Sequence, residues 1–184
     1  MTARQSIIAF AGRRIDPPGA AYCHFPPQMI SHVKQQLLSC FSRLRPSRLV
    51  CAAAAGADLL ALSVAEELRI PCTLILPTSE ETFREKSVAD RPGQWVVVYD
   101  AAVRRAKELD TFHTLQLPAC TMSYLRGNES ILDRALACAG NASSVIAVAA
   151  WEGQARDDDV DITAAFLASA RSRGFTTQEL STLS

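Results

Sequence analysis

"SIIAFAGRRIDPPGA", Ser6 to Ala20, changes character at Gly12: an apolar run stops there, two arginines follow, and Asp16-Pro17-Pro18-Gly19 breaks any regular structure. A short continuous apolar run that ends in such breakers reads as a strand buried on both faces, the kind that parallel sheets require. The pattern recurs in "RLVCAAAA" from Arg48, "PCTLILP" from Pro71 and "SSVIAVAAW" from Ser143, and more weakly in "TFHTLQL" from Thr111. A short tail strand is expected around "FTTQ", after Gly174.

Helical spacing fills the intervals. Ile30, Val33, Leu37, Phe41 and Leu44 recur on one face, as do Leu60, Val64 and Leu68. "GQWVVVYDAAVRRAKEL" carries three valines that favour a strand, but Trp95, Tyr99, Ala102, Val103 and Ala106 keep a helical period over a longer window, so a helix is expected. "TSEE", Thr78 to Glu81, fits a capping box. Leu125, Asn128, Ile131 and Ala135 align on a further helix that contains Gly127, and "VDITAAFLASARSR" is a last one, stopped by Gly174. Strands alternating with helices, without repeats or linkers, predict an α/β chain: one domain over residues 1–184 with a three-layer, doubly wound, Rossmann-like fold, a mostly parallel sheet of five or six strands and helices on both faces.

The bulk composition excludes several functions. Lys plus Arg and Asp plus Glu both total 19, so no bulk field favours a polyanion and no nucleic-acid partner is expected. No apolar run reaches the ~18–20 residues of a membrane span, and the N-terminus lacks a secretory pattern, so a cytoplasmic protein is expected. Cys23, Cys40, Cys51, Cys72, Cys120 and Cys138 form no C-x-x-C pair and read as buried thiols of a reducing compartment. His24, His32 and His113 lack metal-ligand spacing, and the run Asp157-Asp158-Asp159 with Asp161 lacks the glycine and terminal glutamate of an EF-hand, so neither metal nor cofactor is expected. Neither G-x-x-x-x-G-K-[ST], G-x-G-x-x-G nor G-x-S-x-G occurs.

In a doubly wound sheet the ligand lies beyond the carboxyl ends of the strands, where strand order reverses. With the order 3-2-1-4-5 that crevice falls between the first and fourth strands. Gly12 would let a ligand approach the backbone, and Arg13 or Arg14 would meet its negative charge. Ala55, Gly56, Ala57 and Asp58 could cradle an anion at a helix N-terminus, or simply form a capped turn. Tyr124 and Asn128, four apart, share a helix face. Trp151 and Gly153 flank the crevice after the last long strand, Trp151 as packing anchor or lid element.

"FAGRRID", "AAAAGADLL", "LPTSEETFREKSV", "SYLRGNESILDRAL" and "VIAVAAWEG" together resemble, in order and spacing, bacterial domains of the SLOG superfamily, Rossmann-like proteins related to the LOG phosphoribohydrolases. The likeness runs from about Ser6 to Arg173. It implies a cytosolic domain that binds a nucleotide or nucleotide-derived small molecule, in a conflict, defence or signalling system, and it allows for a homo-oligomer. By position, Gly12, Arg13 and Arg14 match the family's first loop, Gly56, Ala57 and Asp58 the second, Ser87 the third, and Tyr124 and Asn128 the helix after the fourth strand. Two departures stand out. Arg13 stands where relatives often carry His, and "WEGQARDDDVDITAAF" keeps only Gly153 and Thr163 of a Gly-Gly-Thr phosphate loop. Two other functions stay open: an N-glycosidase acting on a nucleoside monophosphate or an NAD-like substrate, with Asp58 and Glu129 as its carboxylates, and a structural subunit whose crevice is vestigial.

Overall fold

The computed structural model describes residues 6–155 and 160–183. The elements are β1 (Ile7–Gly12), α1 (Ile30–Leu44), β2 (Arg48–Cys51), α2 (Ala57–Glu67), β3 (Cys72–Leu76), α3 (Glu80–Ser87), α4 (Trp95–Glu108), β4 (Phe112–Thr114), α5 (Thr121–Ala139), β5 (Val145–Trp151), α6 (Ile162–Ser172) and β6 (Thr176–Ser181). All six strands form one parallel sheet in the order β4-β3-β2-β1-β5-β6. Alternation along β1 shows why two helical layers are needed: Ile8 and Phe10 pack with α1, α2 and α4, whereas Ile7, Ala9 and Ala11 pack with α5 and α6. The chain is thus a three-layer, Rossmann-like α/β fold, as its apolar runs predict. None of the described helices is long and apolar enough to cross a membrane.

The strand order differs from the expected one. The fourth strand lies at the outer edge, pairing Phe112 with Leu74, and the neighbour of β1 across the reversal is β5, with Ile7 opposite Val145 and Gly12 opposite Ala150. Burial explains the arrangement. β4 has three half-buried residues, while six of the seven in β5 are buried, and only the latter suits a place covered on both faces. Helix α5 then makes the return crossing, packing on β3, β2, β1 and β5.

Two local expectations also shift. The cap of α3 is Ser79, whose Oγ accepts from the Thr82 amide at 3.2 Å, while Thr78 is fully buried. The cysteines are all free thiols, but Cys23, Cys120 and Cys138 are exposed rather than buried. Gly127 sits in the middle of α5 because a Cβ there would lie 3.1 Å from Pro77, so the helix closes tightly on the end of β3.

Candidate functional site

The strands end beneath a cavity of about 900 Å³. Its walls include Gly12 to Asp16 after β1, Ala52 and Ala54 after β2, Pro77 after β3, Ser87 of α3, Arg91 of the loop that follows it, Tyr124 and Asn128 of α5, and Glu152 after β5. The first loop and the face of α5, far apart in the chain, therefore share one pocket, which lies at the β1–β5 reversal instead of a β1–β4 reversal.

Neither glycine loop opens a cradle for an anion. Ala57 donates to the Arg13 carbonyl at 3.0 Å and Ile15 to the Ala55 carbonyl at 2.9 Å, an antiparallel bridge centred on Arg14 and Gly56. The first turn of α2 is thereby covered by the chain's own backbone, and Ala55, Gly56 and Ala57 are not on the cavity wall. Close packing accounts for both glycines. A Cβ on Gly12 would meet that of Ala57 at 2.5 Å, and one on Gly56, at φ +125°, would meet the Ile15 nitrogen at 2.5 Å. Gly56→Ala is expected to cost about 2–3 kcal/mol, strain and overpacking together, in urea unfolding.

The adjacent arginines part company. Arg13 is 4% exposed and turned inward. It donates to Glu152 (Nε to Oε2 2.6 Å, Nη2 to Oε1 2.8 Å), to Asp161 (Nη1 to Oδ1 2.9 Å, Nη2 to Oδ2 2.7 Å) and to the Gln154 carbonyl at 3.1 Å. Its guanidinium also lies 5.5 Å from the centre of the Trp151 ring. Asp161 in turn caps α6, accepting from Thr163 and Ala164. Arg13 is thus an internal tie between β1, the β5 loop and α6, not the free anion contact expected of it, because two buried carboxylates already take its fork.

Arg14 keeps the outward role. Its Nη2 donates to Asp90, and Asp90 also accepts from Arg91 Nη1 at 2.6 Å, so two cations share one carboxylate. Arg91 Nε is anchored on the Ile15 carbonyl at 2.8 Å. Burial first, and then Arg91, hold the Arg14 pKa below its ordinary value. Arg91 was not singled out in the sequence; its only signal is a cation beside Pro92-Gly93, just past the third helix.

Asp58 is 6% exposed and lines the cavity. Its Oδ2 accepts from the Ala54 amide at 3.1 Å, while Oδ1 is buried without a partner, as is Arg14 Nε. Burial pushes its pKa up to about 7, against the opposing pull of the Ala54 amide, of Arg14 and of the Gly12 amide. Ser87 Oγ and the Tyr124 hydroxyl are 2.9 Å apart on the wall, and Asn128 donates to the Ile162 carbonyl at 2.9 Å.

Three candidates lie elsewhere. Glu129 pairs with Arg173 at 2.5 Å, at the α5–α6 surface, off the cavity wall. Trp151 stands behind the wall with its indole donating to Glu179 at 2.8 Å, and Gly153 is exposed beside it. Among the described residues no cluster of three His, Cys, Asp or Glu side chains forms for a metal; Asp157, Asp158 and Asp159 lie outside the described residues. No protein-family model matches the chain, and no curated protein matches it.

Proposed function

We propose that this is a cytosolic ligand-binding domain of the SLOG type, whose cavity takes a nucleotide or nucleotide-derived molecule. The observation that carries the reading is that Arg14 and Arg91, both on the cavity wall, share the single carboxylate of Asp90. The same cavity is lined by Ile75, Pro77, Phe83 and Ile131, apolar surface for a ring, with the Ser87–Tyr124 hydroxyl pair for orientation. The volume falls in the ~300–1,000 Å³ range of ligand sites, which typically combine an apolar lining with a few placed polar groups.

Titration calorimetry with AMP, other nucleoside monophosphates and NAD tests the reading. Saturable binding is expected, with Arg91→Ala weakening it by about 1.5–3 kcal/mol, the worth of a hydrogen bond to a charged group. Flat titrations across the whole panel would dismiss nucleotide binding, and an unaltered affinity in Arg91→Ala would remove the anion contact. A hydrolytic variant of this reading, cleavage of an N-glycosidic bond, is favoured by Asp58: a carboxyl on the wall that titrates near neutrality suits proton transfer. It requires free base to appear when AMP or NAD is incubated with the protein.

A further inference from the structure

We propose that His24, held by Glu152, is a general base on the cavity wall and makes the pocket a hydrolytic centre for oxygen esters. This goes beyond ligand binding and is independent of whether the ligand is a nucleotide. Three observations converge on His24.

The first is the ring. Nδ1 lies 2.6 Å from Glu152 Oε1, and Glu152 also accepts two bonds from Arg13. Burial opposes the charge on Glu152, but these bonds outweigh it and hold the carboxyl below its usual range, so Glu152 is an acceptor and Nδ1 must carry the proton. In the neutral ring Nε2 then keeps the lone pair, and it makes no hydrogen bond among the described residues. The side chain is 26% exposed and on the cavity wall.

The second is the backbone. The His24 amide donates to Asp16 Oδ2 at 3.0 Å, and its carbonyl accepts from the Thr182 hydroxyl. Ring and main chain are thus fixed from separate directions, the preorganisation a proton-transfer group needs. The third is charge. Glu152 is 5% exposed and shares the Arg13 guanidinium with Asp161, so its carboxylate keeps negative charge with which to hold the Nδ1 proton. The imidazole answers that charge through Nδ1. It stands at the cavity end of an Asp161–Arg13–Glu152–His24 chain, an orienting carboxylate behind a base.

In the step proposed, Nε2 takes a proton from water as the water oxygen bonds to the carbonyl carbon or phosphorus of the ester. The bond to the leaving oxygen breaks, and that oxygen receives the proton from Nε2–H. One water is consumed, one acid and one alcohol form, and no redox partner is involved.

The test uses p-nitrophenyl acetate and bis(p-nitrophenyl) phosphate as separate probes, following release of nitrophenol. Saturable hydrolysis of at least one is expected, falling about 100-fold in His24→Asn, the low end of what a placed acid–base group contributes. Asn retains a donor for Glu152 in place of Nδ1 and lacks Nε2, so its thermal midpoint should match wild type; a role confined to tying the loop would then leave the rate unchanged too. Long-range 1H–15N spectra should show His24 protonated at Nδ1 and bare at Nε2. Equal rates in wild type and His24→Asn, no hydrolysis of either probe, or a His24 protonated only at Nε2 would each overturn the assignment.

Discussion

Asp58→Asn is expected to gain about 4 kcal/mol of stability relative to wild type between pH 4 and pH 8. The folded carboxyl titrates near 7, whereas an unfolded aspartate titrates near ~3.9. Between those values the native state holds a proton that the unfolded state has released, so this group lowers wild-type stability as pH rises from about 4 to about 7. A gap of about three units at ~1.36 kcal/mol each sets the size. Asn has no such proton, so its curve lacks that slope. The other ionisable groups that face Asp58 remain in the variant: the Arg14 guanidinium and the Cys51 thiol, which burial keeps far above its ordinary pKa. Urea unfolding of both proteins across this range decides the matter. Two parallel curves would mean that Asp58 is already ionised in the fold at an ordinary pKa.

Arg13→Ala is expected to destabilise the fold by about 3–5 kcal/mol, the cost of leaving buried charge unpaired. Glu152 and Asp161, 5% and 3% exposed, would each lose the two bonds that the guanidinium donates, and it would no longer cover Trp151. At this chain length such a loss lowers the thermal midpoint by about 10 °C. The triple substitution Arg13→Met, Glu152→Gln, Asp161→Asn should recover much of it. It removes all three charges together, and Asn is still a good helix cap for α6. A loss under about 1 kcal/mol in Arg13→Ala would place the cluster with exposed ion pairs.

The fold was legible where burial writes itself into apolarity. The runs of β1, β3 and β5 are continuous because helices cover both faces, and the helix from Trp95 was found against its own valines because period outlasts propensity. Strand order was less legible, since a weak run such as Phe112–Thr114 records only that it sits at an edge, not which edge. At the site, Gly12, Arg14, Asp58, Ser87, Tyr124 and Asn128 do line one cavity. Arg13 and Arg14 are indistinguishable as letters, yet one faces two buried acids and the other a shared surface carboxylate. Nothing local encodes that difference, because Glu152 and Asp161 arrive from the far end of the chain. The same holds for His24, whose partner Glu152 marks no motif with it in sequence.

The central place of β1 also carries a consequence in time. Its partners Arg48 and Val145 lie on either side of a long stretch of chain, so one flank can assemble early while the other waits for β5. Long-range pairing of this kind slows folding. On the ribosome, the pocket would be late to exist: the nascent chain passes through a stage with four strands paired, the β1 edge bare and nothing yet able to recognise a ligand.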